Sequence, residues 1–173
     1  MERSIILLGR HSSRQCALMI IADGFEEITT IVTISALRQA GLCIKSVGLT
    51  SSFVNGAHGV EVMPDLSITD FPQLINTTPI NLVILPEGKQ ALARLETDPR
   101  VHQLLRQVVA QQGQVVTTAE GLGVLRAAAV WLKEFPERDG DHQGMPVYLY
   151  DQKKSPETLA QDLIRRFKEM PTS

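Results

Sequence analysis

Two runs constrain this chain more than anything else in it: "CALMIIA" from Cys16 to Ala22 and "INLVILP" from Ile80 to Pro86. Neither alternates apolar with polar residues. Such runs fit strands covered on both faces, the condition of a parallel sheet in an α/β protein. "LCIKSVGL" (Leu42 to Leu49) reads as a further strand, as do the β-branched Val115, Val116 and Thr117 and the later "VYLYD". Strand residues Ala17–Ala22, Ile44–Val47, Leu82–Leu85 and Val115–Thr118 should therefore lie side by side and parallel.

The stretches between them carry helical periodicity. After "ADGFEE", residues Ile28, Ile31, Val32, Ile34 and Leu37 recur at three- and four-residue spacings, which predicts a broad apolar stripe. Glu26 and Glu27 fall at the start of this helix, where the dipole favours carboxylates, and Gly41 closes it. Asp98 followed by Pro99 reads as an N-cap with proline at the first helical position, and Gly113 ends that helix. Ser155 and Pro156 open a last helix that buries Leu159, Leu163, Ile164 and Phe167. Asn55-Gly56 is a tight-turn signal between β-formers and predicts a small hairpin, with His58 on its surface. Asp65 after Pro64 reads as a turn or cap. Strand, helix, strand in this order predicts one three-layer α/β sandwich with a mainly parallel central sheet. The domain should run over 15–170, after an N-terminal extension at 1–14.

Composition excludes several classes. A chain of 173 residues with net charge -2 has no basic footprint for nucleic acid. Lys153-Lys154 and Arg165-Arg166 are isolated pairs, read as solvated faces. No apolar run is long enough to cross a membrane as a helix. His11, His58, His102 and His142 are scattered without ligand spacing, so no metal is expected, and no phosphate-loop or dinucleotide fingerprint calls for a cofactor. Cys16 and Cys43 are read as free, buried cysteines of a cytoplasmic protein. Organelle targeting by 1–14 stays open as an alternative.

Ligands of such folds bind beyond the carboxyl ends of the strands. "ADGFEE", "LPEG" and "TAEG" all fall there. In "VVTTAEGLGVL" the strand turns sharply into a helix, the elbow on which many α/β enzymes hold a nucleophile. Its apex is Ala119, which has nothing to attack with.

The ordered set "GFEE", "GVEVMPD", "NLVILPEG" and "GQVVTTAEGLGVL" resembles the ThiJ/PfpI family of the class I glutamine-amidotransferase-like superfamily, over roughly Cys16 to Val130 and more weakly Val147 to Phe167. The resemblance implies a flavodoxin-like sandwich and a homodimer, here burying part of the surface from Glu27 to Arg38. It also implies an elbow cysteine, a glutamate that tunes it and often a histidine. The cysteine position is Ala119, the glutamate position is Thr29, and His142 does not align with the histidine segment. The family's oxyanion site corresponds to the N–H groups of Gly88 and Glu120. Glu87 replaces a glycine common in the family, and Glu26 matches a pocket-rim acid. These residues imply a non-catalytic, small-molecule-binding, regulatory or chaperone-like protein. One alternative is a deglycase-, glyoxalase- or hydratase-type enzyme working through Glu26, Glu87 or Glu120; another is a docking subunit.

Overall fold

The computed structural model describes residues 15–130 and 146–170. The expected N-terminal extension and His142 lie outside the described residues, and the elbow helix, which the sequence carries to about Lys133, already ends at Ala127, with Ala129 in the left-handed region. Eight strands are described: β1 (Cys16–Ile21), β2 (Cys43–Gly48), β3 (Val54–Asn55), β4 (Glu61–Val62), β5 (Leu66–Ser67), β6 (Ile80–Ile84), β7 (Gln114–Thr117) and β8 (Val147–Leu149). The helices are α1 (Glu27–Gln39), α2 (Phe71–Thr77), α3 (Lys89–Thr97), α4 (Pro99–Ala110), α5 (Leu122–Ala127) and α6 (Pro156–Glu169).

Six strands form one sheet in the order β5-β2-β1-β6-β7-β8, and every pairing in it is parallel. The apolar runs behave as expected: every residue from Cys16 to Ala22 is at most 2% exposed. Helices cover both faces. α1 packs on α6 and β2, while α4 lies over β6 and β7 beside α3 and α5. The sheet grows from β1 to β2 in one direction and from β6 to β8 in the other. The crevice at the carboxyl ends of β1 and β6 is thus the topological switch point, where open α/β sheets bind ligands.

The helix boundaries have the chemistry the sequence offers. Asp98 accepts a hydrogen bond from the Arg100 N–H at 2.9 Å, and Ser155 accepts from the Thr158 N–H. Gly41 ends α1 in the left-handed region at φ +76°, with its N–H and that of Leu42 returning to Arg38 and Leu37 carbonyls. Asn55 and Gly56 lie at the near end of the β3–β4 hairpin.

Three expectations need correction. The first concerns the stripe on α1. Its buried residues are Glu27, Thr30, Thr33 and Leu37, whereas Ile28 is 64% and Ile31 43% exposed. Glu27 faces inward because the hairpin gives its carboxylate two hydrogen bonds from His58. The second is Asp65, which is no mere turn residue. Its carboxylate accepts from the Ser46 N–H at 2.7 Å, the Ser46 hydroxyl at 2.8 Å and the Arg38 guanidinium at 2.6 Å. It thereby pins β2 to α1. Burial alone would raise this carboxyl, but the Ser46 bonds and the Arg38 charge lower it.

The third correction concerns the cysteines. Cys16 and Cys43 are not free: they are joined as a disulfide, with Cα atoms 4.6 Å apart. The parallel register places the first residues of β1 and β2 opposite one another. A count of two cysteines contains no register information. With the pair bonded, the cysteine count no longer argues for a reducing compartment. No helix among the described residues is long and apolar enough to cross a membrane.

Candidate functional site around the elbow

The elbow forms where the sequence places it. β7 ends at Thr117, a single 3-10 turn spans Ala119–Gly121, and α5 follows at Leu122. Thr118 precedes the turn in extended conformation. Two bonds from the chain after β8 fix the approach: the Tyr150 N–H donates to the Thr117 carbonyl at 3.0 Å, and the Gln152 amide donates to the Thr118 hydroxyl at 3.4 Å. Gly121 is required sterically, because a Cβ there would collide with the Thr117 hydroxyl. Ala119 and Glu120 are both exposed at the tip. The first N–H groups of any helical turn lack partners within that turn, so the backbone still offers donors here.

The Glu87–Gly88 turn lies beside the elbow. Gly88 has φ +109°, and a Cβ would run into the Gly24 carbonyl of the loop after β1. Only glycine allows these two loops to approach so closely. The Glu26 N–H donates to the Glu87 carbonyl at 2.9 Å and stitches the same two loops together. Backbone contacts thus join the ends of β1 and β6.

Each carboxylate has a distinct state. Glu26 is the N-cap of α1, its oxygens accepting from the Ile28 N–H at 3.1 Å and the Thr29 N–H at 2.7 Å. Both oxygens are therefore engaged in holding the helix. Glu120 is exposed at the tip of the elbow turn, whose N-cap Thr118 makes no side-chain cap. Glu87 is neither solvated nor idle. Its carboxylate is half-buried and accepts a 3.0 Å hydrogen bond from the Tyr150 hydroxyl. Burial raises its pKa, Tyr150 opposes the rise, and the Glu26 and Glu120 charges add to it. The Thr29 hydroxyl opposes the rise weakly from the same side. Tyr150 itself is 6% exposed, and burial followed by the Glu87 charge pushes its phenol upward.

A second network lies against the first turn of α1. Glu27 is 5% exposed, and its carboxylate accepts from both the backbone N–H and the ring Nδ1 of His58, the latter at 2.8 Å. Burial would raise the Glu27 carboxyl, but these bonds outweigh it and hold the pKa at about 2. His58 is raised in return, chiefly by the Glu27 hydrogen bond. The ring is exposed as the sequence suggests, yet it is an anchor. Gly24, Phe25, Asn55 and Ala57 exchange backbone bonds beside it, so the hairpin is docked on the loop that carries Glu26. No metal-holding cluster of histidine, cysteine or carboxylate groups occurs among the described residues.

The DJ-1/PfpI family matches residues 15–134, most of the chain. The chain belongs to this family. It is 28% identical over 115 residues to the Parkinson disease protein 7 homolog of Danio rerio, covering 66% of this chain and 59% of that protein. It is 24% identical over 119 residues to the glutathione-independent glyoxalase DJR-1.2 of Caenorhabditis elegans, covering 69% and 61%. The match therefore spans about three fifths of these relatives' length. Among solved structures, Drosophila melanogaster DJ-1beta superposes with a TM-score of 0.73 over 92% of each chain at 20% identity. Oxidized Toxoplasma gondii DJ-1 gives 0.70 over 88% of this chain and 90% of its own, also at 20%. At that identity the likeness establishes the flavodoxin-like fold.

Against this family background, the structure brings Glu26, Thr29, Glu87, Gly88 and the Ala119–Glu120 tip to one end of the sheet. Tyr150 is the participant the sequence reading missed. It sits 63 residues beyond Glu87, directly after β8, and only the β7–β8 pairing brings it near. A buried-type tyrosine closing an apolar strand was the available signal.

Proposed function

We propose that this chain is a member of the family without a thiol at its elbow, and that it binds a small molecule there without covalent turnover. The observation that carries the reading is the exposed Ala119 methyl at the elbow apex, with Thr29 at the family's glutamate position. Covalent catalysis needs an activated nucleophile beside its partner group, and these two residues supply neither. The binding surface would comprise Glu26, Glu87, Gly88, Ala119 and Glu120, with backbone N–H groups of Gly88 and Glu120 as donors. Three carboxylates around it favour neutral or cationic ligands over anions.

The working unit in this reading is a homodimer. Ile28 and Ile31 leave apolar area on α1 uncovered, on the segment the family resemblance assigns to the subunit contact. Light scattering at micromolar concentration should return twice the chain mass; a monomer would remove this part of the proposal.

A second reading is favoured by one specific feature. Glu87 brings a carboxylate with a raised pKa toward the side of Thr29, so an acid is still present although it comes from the β6 turn instead of α1. A carboxyl held above its usual range is suited to proton transfer. The carboxylate enzyme of this second reading would therefore work through Glu87, because Glu26 is committed to its helix.

The deciding experiment uses methylglyoxal and purified protein. The non-catalytic reading expects no turnover by the wild type. Ala119→Cys should introduce a thiol that alkylates rapidly, since an elbow at a helix start favours the thiolate, but that thiol should turn over little. Thr29→Glu alone would set a new carboxylate against Glu87, so restoring family chemistry calls for Ala119→Cys, Thr29→Glu and Glu87→Gly together. Wild-type turnover that survives thiol-blocking reagents and is abolished by Glu87→Gln would overturn the non-catalytic reading in favour of the second.

A further inference from the structure

The opposite end of the sheet carries reactive groups that the elbow does not use. Cys16 and Cys43 open β1 and β2, stand in register and are bonded through their sulfurs. The Cα separation of 4.6 Å lies within the span a disulfide bridges. The two halves differ in access. Cys16 is 1% exposed beneath its neighbours, whereas Cys43 is only partly covered. The bond closes a covalent ring across a 27-residue separation that encloses β1, the Gly24 loop and α1. That ring is the unit from which Glu26 and Glu27 project.

We propose that Cys16–Cys43 is a reversible thiol–disulfide site, with Cys43 the sulfur that exchanges with low-molecular-weight thiols and Cys16 the buried resolving sulfur. In reduction, an external thiolate attacks the Cys43 sulfur. The Cys16–Cys43 bond breaks, and its electron pair leaves on Cys16, which takes a proton from water. A second external thiolate then attacks the external sulfur of the mixed disulfide and releases Cys43 as a thiolate, which takes the second proton from water. Two thiols are oxidised to one disulfide, and the protein gains two electrons and two protons. Oxidation by a low-molecular-weight disulfide retraces these steps. The less covered residue, Cys43, is the point of attack because exchange requires access to one sulfur atom. Register supplies the rest, since the parallel pairing keeps the two thiols adjacent after reduction and the bond can re-form without refolding.

The consequence is a redox-dependent stability of the β1–α1–β2 unit. Closing a loop of this length restricts the unfolded chain, so the reduced form should melt about 5–10 °C lower than the oxidised one. The site is separate from the elbow and uses none of its residues, so its failure would leave the ligand-binding proposal standing.

The test places the full chain in glutathione buffers of graded composition, traps thiols by alkylation and maps them by mass spectrometry. The expected result is release of both thiols by millimolar reduced glutathione in the folded protein, with any mixed disulfide on Cys43 alone. Cys16→Ser should take up one glutathione on Cys43, and Cys43→Ser should leave Cys16 unmodified while folded. Should either variant fail to fold, the location of the mixed disulfide in the wild type decides the question. A bond that resists reduction until the protein is unfolded would overturn the proposal. So would glutathione on Cys16, thiols that alkylate freely under oxidising conditions, or equal melting of the two redox forms.

Discussion

The elbow and the β3–β4 hairpin both adjoin the start of α1, yet they are held there by different means. The Gly88 turn beside the elbow is positioned by main-chain contacts: Glu26 N–H to Glu87 carbonyl, and Gly88 against Gly24. The hairpin adds side-chain anchors to its backbone bonds with the Gly24–Phe25 loop: the buried Glu27 carboxylate takes two bonds from His58, and the Asp23 carboxylate accepts from the Asn55 N–H. Adjacent residues in sequence, Glu26 and Glu27, thus serve two separate assemblies. The lesson concerns what a diverging protein can lose. A site framed by backbone contacts keeps its shape when the side chains around it change. A site that also depends on a side-chain pair is less tolerant.

The largest effect should come from closing the space that the backbone contact needs. Gly88→Ala adds a Cβ against the Gly24 carbonyl and strains a φ of +109°. We expect a loss of about 3 kcal/mol, measured by denaturant unfolding. Gly59→Ala is the control, because Gly59 has φ +92° but an added Cβ would meet nothing within 4 Å. It should cost only about 1 kcal/mol. Equal losses at both positions would mean that the close approach of the loops contributes nothing.

Next in size is Glu27→Ala, which removes the hairpin's buried side-chain anchor and leaves a space under Gly56. A fall of roughly 5 °C in Tm is expected, with faster amide exchange confined to the hairpin and the loop at Gly24. Exchange at the elbow should be unchanged, and acceleration there would show that the two assemblies are one.

The same pair carries a pH signature. Glu27 is lowered to about 2, so its contribution is full above 4.5 and is lost as pH falls from there toward 2. His58 is raised above 6.5, so its contribution is full below 6.5 and is lost as pH rises through the folded value. The clamp is therefore strongest between these limits. His58→Ala should flatten the alkaline side of the stability profile, a smaller effect than that of Glu27→Ala. An alkaline limb unchanged by the substitution would assign that loss to another group.

Sequence patterns revealed the frame and missed the connections. Strands buried on both faces leave continuous apolar runs, and caps leave Asp98-Pro99 and Ser155-Pro156, so the sheet and most helices could be read directly. The strand-to-helix elbow was legible because β-branched residues give way to Gly121 and an apolar periodic stretch. Helix α3 was not: nine residues with Ala91, Leu92 and Leu95 inside give too short a periodic signal beside the stronger Asp98 cap. The disulfide and the Tyr150–Glu87 bond depend on register between strands, which one sequence does not encode locally. On α1, the apolar spacing named Ile28 and Ile31, but the residue buried there is Glu27, whose partner comes from a hairpin 31 residues away.

The smallest expected effect bears on the elbow side of the comparison. Glu87 has a folded pKa raised by burial and by the charges of Glu26 and Glu120, against the opposing Tyr150 bond. A raised carboxyl makes ionisation costlier in the folded state than in the unfolded chain. Below about 4.5 both states are protonated and the residue is neutral in effect. As pH rises through the folded value the cost accumulates, and beyond it the cost is constant. Glu87→Gln should therefore stabilise the protein at neutral pH by less than about 1 kcal/mol after screening, and the gain should vanish on acidification below 4.5. Tyr150→Phe removes the one strong hydrogen bond that favours the ionised form, so it should push the Glu87 carboxyl higher still and move the midpoint of this limb toward neutrality. Titration by carboxyl-labelled NMR would read both shifts directly. A Glu87 that titrates in the ordinary carboxylate range, or a gain from Glu87→Gln that persists in acid, would mean that the acid beside the elbow is solvated, and the proton-transfer reading would lose its group.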